Sequence, residues 1–329
     1  MRRIFLIFVS LMLLLSVQAW AGGAQEEPEA GDLQIVTTTG HLADMARNIA
    51  PDADVTELLG PGTDPHTYVP STREVQMLQD ADLVLWNGLE LEIQFTDTLE
   101  GLGDHAFEVA REIPDTRLIE YAGHGHDHGH DHDDDHGHDH DDDHGHDHGE
   151  HDPHVWFDID LWISAVDIVT DRIVQLDPAN EDEYRSNAAD YIEDLREADR
   201  YAAQRFDEIS QEQRVLITSH DAFGYLGRRY GIETLGVSGL STEDEAGIAE
   251  IEELAELIAD RGIPTIFQED IADDQAVVAL TEAVSARGGS VVVSDEALHS
   301  DALGESGEAQ TFIGAFRSNV DTIVEGLTR

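Results

Sequence analysis

The chain has 329 residues, of which 71 are Asp or Glu and 18 are Arg, and its formal net charge at pH 7 is −53. The lack of cysteine excludes disulfides, thiolate metal sites, thiol nucleophiles and a cysteine-linked lipid. A charge this negative argues against binding to the phosphate backbone of nucleic acid, which needs Lys and Arg, so no nucleic-acid partner is expected.

An export signal opens the sequence. Two arginines precede an apolar run over residues 4–17, and the small-x-small cleavage pattern Ala19-Trp20-Ala21 follows it. This layout predicts a Sec signal peptide over residues 1–21, because the apolar run is shorter than the ~20 residues needed to span a bilayer. Residues 22–32 are expected to form a flexible leader. The sequence therefore predicts a periplasmic or otherwise extracytoplasmic protein.

Strands alternate with helices over residues 33–175, which predicts an N-terminal α/β lobe with a parallel sheet. Short β-branched and apolar runs predict strands over 33–38, 55–59 and 83–86. Helical spacing predicts a helix over 41–48. Ser71 and Glu74 form a capping-box pattern that opens a helix through Leu78.

A tract rich in His and Asp interrupts this lobe over residues 124–151 and holds twelve of the 18 histidines. The octet HGHDHDDD occupies 128–135 and repeats over 136–143. Because the tract has almost no apolar residues to bury, we expect it to be disordered without metal. It is expected to collect metal weakly and pass it to a tighter site, or to sense metal availability. A solvated acidic linker is the alternative.

The acidic excess extends over the whole chain and is not confined to the tract. Mutual repulsion destabilises such a chain at low salt and is screened at high salt. We interpret the composition as an adaptation to a saline habitat, with genomic bias as the alternative.

Helical patterns follow the tract, over 162–176 and, after a turn at 177–180, over 181–209. The second pattern predicts a helix of ~43 Å, longer than one small domain, and is expected to link two lobes. Residues 211–329 then predict a C-terminal α/β lobe. Its expected strands are 215–218, 233–237, 265–268 and 290–293, and its expected helices are 246–259, 274–287 and 309–327.

Three histidines outside the tract occupy positions suited to metal binding. His66 and His154 each end an Asp-Pro-His triplet, and His220 follows a predicted strand, at the sheet edge where open α/β folds bind ligands. The carboxylates expected to orient these rings through the second N–H are Asp64, Asp158 and Asp221.

Each of these histidines alone fits a surface or structural role, but the set in an exported chain with a His-rich tract indicates a metal site. Neutral imidazole favours Zn²⁺. A fourth ligand from the second lobe is needed, and Asp301 is the first candidate and Glu269 the second. The histidines interpreted as structural or surface residues are His41, His105 and His299. The sequence contains no HExxH, G-x-S-x-G, P-loop or dinucleotide motif.

Five motifs together carry a resemblance to a known family. They are GPGTDPHTY (60–68), ADLVLWNGL (81–89), DPHVW (152–156), SHDAFGY (219–225) and SDALG (300–304). From about residue 33 to its end the chain resembles the solute-binding proteins of zinc and manganese ABC importers, the TroA-like and ZnuA-like family.

The resemblance implies two α/β lobes joined by one long rigid linking helix, with a metal ion buried between them. It implies His66, His154, His220 and Asp301 as ligands, two from each lobe. Manganese-type members usually carry Glu where this chain has His220, whereas some zinc-type members lack the Asp and carry a His-rich loop. Three imidazoles favour Zn²⁺, since Mn²⁺ prefers more oxygen ligands.

We therefore expect a high-affinity extracytoplasmic Zn²⁺ receptor that delivers metal to an ABC importer permease, as a monomer and without catalysis. A Mn²⁺ or mixed-metal receptor is the nearest alternative. A metal buffer or chaperone acting through the tract alone is another. A zinc hydrolase is the third, and it would need an open, water-bearing metal position.

Overall fold

The computed structural model describes residues 33–120, 151–244, 246–271 and 275–329. The signal peptide (1–21), the leader (22–32) and the tract up to residue 150 lie outside the described residues, so what the sequence predicts for them stays a prediction. Within the described part of the chain, no helix is long and apolar enough to cross a membrane.

Parallel strands form the sheet of the first lobe. In chain order they are β1 (Gln34–Thr37), β2 (Asp54–Glu57), β3 (Leu83–Trp86) and β4 (Ala106–Glu108), and they lie in the order β2-β1-β3-β4. All of β3 is buried, which is typical of a strand covered on both faces. The edge strand β4 was not predicted, because three residues are too few for a recognisable pattern.

Three of the helices described in this lobe begin at side-chain caps. The helices are α1 (Gly40–Ile49), α2 (Thr72–Asp80), α3 (Thr96–Glu100) and α4 (Ile159–Leu176). The predicted capping box is present at α2, where Ser71 and Glu74 each accept the other's backbone N–H. Asp158 caps α4 by accepting the backbone N–H of Asp160.

The long helix α5 (Glu181–Phe206) follows a turn at Pro178–Asn180. Its 26 residues span ~39 Å. It packs against α1 and α4 of the first lobe and against α9 (Phe312–Leu327), the last helix of the second lobe. The helix ends at Phe206 and not at residue 209, because the amides of Glu208 and Ile209 bond three residues back in a tighter turn.

The second lobe repeats the α/β alternation with parallel strand pairs. The strands are β5 (Val215–Thr218), β6 (Glu233–Gly236), β7 (Thr265–Ile266) and β8 (Val292–Val293), and β5 pairs with β6 as β7 pairs with β8. A single parallel bridge between Thr218 and Phe267 places the two pairs side by side. The other helices are α6 (Gly224–Tyr230), α7 (Ile248–Arg261) and α8 (Gln275–Ala286). The predicted architecture of two α/β lobes with a long connecting helix is confirmed.

Helix starts in this lobe differ from the predicted ones because capping groups lie further along the chain. Helix α7 begins at Ile248 and not at residue 246, since Gly247 is its N-cap and donates its N–H to Glu250. Helix α9 begins at Phe312 and not at 309, since the Thr311 hydroxyl accepts the N–H of Gly314. Helix α6 was not predicted, because its seven residues carry no long apolar repeat.

Candidate metal centre

The four side chains predicted as metal ligands lie in loops at the sheet edges. His66 lies in the loop between β2 and α2, and His154 directly precedes a short 3₁₀ turn that leads into α4. His220 lies two residues after β5, and Asp301 lies in the loop between β8 and α9. Two side chains thus come from each lobe, near the carboxyl ends of parallel strands, where α/β folds bind ligands.

The structure brings all four side chains together. One potential donor atom from each lies within 4.8 Å of the others. Asp301 Oδ2 is 3.3 Å from His66 Nε2 and 3.4 Å from His220 Nε2, and Asp301 Oδ1 is 3.5 Å from His154 Nε2. Two donors bound to one Zn²⁺ at ~2.0–2.1 Å and a tetrahedral angle are about 3.3 Å apart. The spacing therefore suits an ion held between these atoms.

These donor atoms are buried and lack hydrogen bonds. His66 and Asp301 are each 2% exposed, His220 is 1% exposed and His154 is fully buried. The three Nε2 atoms and both Asp301 oxygens have no hydrogen-bond partner. A buried unpaired polar atom costs roughly 1–3 kcal/mol. A cation among them would satisfy all five atoms at once, so the donor set fits a metal ion.

The two Asp-Pro-His triplets fold in the same way. In each, the Asp Oδ1 accepts the backbone N–H of the His two residues later, at 2.9 Å for Asp64 and His66 and at 2.9 Å for Asp152 and His154. This turn is typical of Asp, and the intervening Pro has no N–H that would compete for the carboxylate. The triplet therefore holds the histidine backbone in place on each side of the chain's long insertion.

Asp152 and Glu269 contact the outer nitrogen of two rings. Asp152 Oδ1 lies 2.8 Å from His154 Nδ1, and Glu269 Oε2 lies 2.6 Å from His220 Nδ1. Glu269 Oε1 also accepts the backbone N–H of His220 at 2.9 Å. A carboxylate at Nδ1 keeps the proton there and leaves Nε2 free to bind a metal.

The expected orienting carboxylates were wrong in all three cases. Asp64 contacts the backbone of His66, and Asp158 caps α4 and pairs with Arg228 and Arg229. Asp152 was missed, although it is the triplet residue that matches Asp64. At His220 the outer nitrogen faces Glu269, where Asp221 was expected, so Glu269 lies beside a candidate ligand while Asp301 takes the inner position.

Attraction between the carboxylates and the histidines of this site shifts their pKa values more than burial does in the opposite direction. Burial opposes charge on His220, but the carboxylates of Glu269 and Asp301 raise its pKa well above the usual value. Burial likewise disfavours the Asp301 carboxylate, but His220 and His154 lower its pKa well below the usual range. A metal ion must displace the proton that His220 holds, so binding competes with protonation.

The remaining histidines outside the tract lie at other places in the fold. His41 is buried in α1 and stacks on Trp156 with ring centroids 4.8 Å apart, and burial lowers its pKa to about 4. His299 pairs with Asp270 at 2.7 Å, and His105 is exposed. These positions agree with the structural and surface roles expected for them.

A cavity of about 240 Å³ adjoins His66. Its lining comes from both lobes and includes Leu89, Glu90, Gln94, Pro153, Leu240 and Glu243. His151, where the tract ends, also lines it and pairs with Glu120 as an antiparallel bridge. The residues that flank segment 121–150 therefore lie next to each other, and one of them, His151, lines this cavity.

Comparisons with known proteins agree with this geometry. Residues 35–326 match the family described as the periplasmic zinc-uptake complex component A, ZnuA. The manganese-binding lipoprotein MntA of Bacillus subtilis is 36% identical over 299 residues, covering 90% of each chain. The zinc-binding protein TroA of Treponema pallidum is 36% identical over 313 residues, covering 94% of this chain and 93% of TroA. Its solved structure superposes with a TM-score of 0.80 over 91% of this chain and all of that one. The chain therefore belongs to the ZnuA and TroA family of metal-binding solute-binding proteins of ABC importers.

Proposed function

We propose that this protein is an extracytoplasmic receptor that binds one Zn²⁺ between its lobes and delivers it to the permease of an ABC importer. The observation that carries the proposal is the convergence of His66, His154, His220 and Asp301, buried and without hydrogen bonds at the atoms that face one another.

The donor set favours capture over catalysis. Three neutral imidazoles and one carboxylate make a closed tetrahedral Zn²⁺ site, in which no position is left for a reactive water. The carboxylates of Asp152 and Glu269 hold two of the rings with Nε2 turned inward. Zinc is the cargo in this proposal, so the site must hold it tightly and later release it to the permease.

The relatives support a metal cargo and an importer as the partner. TroA is named for zinc, MntA for manganese, and the matched family for zinc uptake in the periplasm. Each aligns over nearly the whole chain, so the likeness covers both lobes and the long helix.

A Mn²⁺ receptor is the second candidate, and one contact favours it. Asp301 Oδ2 approaches His66 and His220, while Oδ1 approaches His154, so both oxygens face the site. A bidentate Asp301 would raise the coordination number to five and add an oxygen ligand, as Mn²⁺ prefers.

The His-rich tract would serve the buried site as a collector. His151, the last residue of the tract, lines the cavity that also contacts His66, so metal released at this end of the tract enters the cavity beside a candidate ligand. The excess of carboxylates raises the local concentration of cations, an effect that salt screens.

Competitive titration tests the proposed function. Because Glu120 and His151 pair directly, residues 121–150 can be replaced by a short turn, which removes eleven of the tract's twelve histidines from the titration. Zn²⁺ and Mn²⁺ would compete against chromophoric chelators at matched free concentrations. One tight Zn²⁺ site that His66→Ala and His220→Ala each abolish is the expected result. A preference for Mn²⁺ would favour the second candidate, and the lack of any tight site would refute both.

A further inference from the structure

The contact between the lobes is packed on one side of the metal centre. Phe157 and Phe223, from opposite lobes, lie with ring centroids 4.4 Å apart. The Tyr225 hydroxyl donates to the backbone oxygen of Asp152 at 2.8 Å, and Arg229 pairs with Asp158 at 2.9 Å. Buried aromatic contacts and charged hydrogen bonds make this side hard to separate.

Another part of the contact between the lobes, here named the cavity side, is lined by the cavity beside His66 and carries polar contacts. There the Thr242 hydroxyl donates to Asp64 Oδ2 at 2.5 Å, and the Gln94 amide donates to Glu243 Oε2 at 2.9 Å. Thr242 is half-buried, whereas Gln94 and Glu243 are exposed, so solvent competes for the second bond more than for the first. Opening is therefore easier on the cavity side than on the aromatic side.

Residues 238–244 of the second lobe, here named the cover loop, connect these contacts to both halves of the metal centre. The backbone N–H of Ser238 donates to the backbone oxygen of Ser219, and the backbone oxygen of Gly239 accepts the N–H of Asp221. The loop is therefore hydrogen-bonded to the residue before His220 and to the residue after it. Through Thr242 it reaches Asp64, which holds the backbone N–H of His66. One short path thus joins a candidate ligand of each lobe.

We propose that the hydrogen bond between Thr242 and Asp64 is a latch that sets the rate at which metal passes through the cavity to and from the centre. The proposal rests on the proposed function as a metal receptor. The cover loop moves with the second lobe, and its separation from Asp64 opens the cavity side while the aromatic side stays closed. Asp64 thereby has two tasks, since it positions His66 through one oxygen and holds the cover loop through the other.

A latch has a kinetic signature that differs from the loss of a ligand's position. Opening precedes both association and release, so a weaker latch speeds both rates and changes the dissociation constant less than either. If the variant instead displaced His66, Zn²⁺ release would become faster while association stayed unchanged. The dissociation constant would then rise by the same factor as the release rate.

The chain offers a matched control for the test. Thr67 also donates its hydroxyl to Asp64 Oδ2, at 3.2 Å, but it belongs to the same lobe as Asp64. Thr242→Val and Thr67→Val therefore remove the same chemical group from the same acceptor, and only the first removes a bond between lobes. Thr242→Ser keeps the hydroxyl and should rescue the wild-type rates.

The experiment measures Zn²⁺ association by stopped flow and its release into excess chelator, using the full chain and following the slow phase that belongs to the buried site. Because Thr242 and Asp64 are only half-buried, water can replace part of the lost bond, and its loss predicts association and release each about three- to tenfold faster in Thr242→Val. Thr67→Val and Thr242→Ser should stay within about twofold of wild type. Equal rates in the two valine variants, or faster release with unchanged association, would overturn the latch. If the wild-type chain has no slow phase and no tight site, the proposed function fails, and the latch fails with it.

Discussion

Glu269 offers the sharpest test of how the second lobe prepares the metal centre. Its two oxygens contact two N–H groups of one residue, the backbone N–H of His220 at 2.9 Å and the ring nitrogen Nδ1 at 2.6 Å. In Glu269→Gln the side chain keeps its size but has only one acceptor oxygen. Its amide N–H₂ must then face one of the two N–H groups.

The expected loss of affinity follows from these contacts. Glu269 is 4% exposed and His220 is 1% exposed, so water cannot replace the lost acceptor. A hydrogen bond to a buried charged group contributes about 1.5–3 kcal/mol, which corresponds to roughly 10- to 150-fold in affinity. If the amide turns its N–H₂ toward Nδ1, the ring places its proton on Nε2 and cannot bind metal until that proton leaves.

The assay is chelator competition for Zn²⁺ at pH 7.5 in the chain with residues 121–150 replaced by a short turn. Asp270→Asn is the matched control, because Asp270 is the next residue and makes the same kind of contact with His299, 2.7 Å from its Nδ1. We expect Asp270→Asn to change Zn²⁺ affinity by less than about threefold. Thermal unfolding without metal checks that both variants fold.

Wild-type affinity in a folded Glu269→Gln protein would refute this reasoning, because it would mean that the orientation of His220 does not depend on the carboxylate. An equal loss in both variants would also count against it, since the effect would then follow the charge of the segment and not the contact with His220.

Three other measurements probe the electrostatics of the fold. Because Glu269 and Asp301 raise the pKa of His220 above its ordinary 6.5, Zn²⁺ binding should release protons at pH 7, and Zn²⁺ affinity should already decrease on acidification at pH values above 6.5. Calorimetry in buffers of different ionisation enthalpy counts those protons, and zero release would contradict the direction of the pKa shift. Glu92 is fully buried and accepts hydrogen bonds from Thr38 and Asn87, and burial raises its pKa from 4.5 to about 7. The native state therefore holds this proton more tightly than the unfolded chain, so the free energy of unfolding should fall by up to about 3 kcal/mol as the pH rises from 4.5 to 7. Urea unfolding should show that Glu92→Gln removes this part of the pH dependence. Because the chain carries a net charge of −53, its self-repulsion should be screened and the melting temperature of the metal-free protein should rise when NaCl increases from about 0.1 M to about 1 M, which shortens the Debye length from ~10 Å to ~3 Å. A melting temperature that salt does not raise would count against the interpretation of a saline habitat.

Local patterns in the sequence were enough to predict the candidate donors. His66 and His154 lie in short motifs with Asp and Pro, and His220 follows a strongly apolar strand, so each position could be recognised within a few residues. Residues more than 200 positions apart in the chain were expected to meet because the resemblance to the family implies two ligands from each lobe around one buried metal ion. The order of the longer strands and helices could also be predicted, because hydrophobic periodicity is visible within short segments of the sequence.

Contacts between distant segments could not be predicted in this way. Glu269 is 49 residues from His220 and Thr242 is 178 residues from Asp64, and no local pattern marks either pair. Asp152 was missed although it occupies the same position in its Asp-Pro-His triplet as Asp64 does in the first one. Asp158, which follows His154 in the sequence, was expected to orient the ring of His154 instead. Strands β7 and β8 have two residues each, shorter than predicted, since hydrogen bonding and not apolar content decides where a strand ends.

The central claim is that His66, His154, His220 and Asp301 hold one metal ion between the lobes. Anomalous diffraction at the zinc absorption edge, on crystals of the tract-replaced chain grown with one equivalent of Zn²⁺, tests it most directly. The account predicts a single strong peak bonded to the three Nε2 atoms and to Asp301 at ~2.0–2.2 Å. A peak elsewhere on the protein, with these four side chains free of metal, would contradict it.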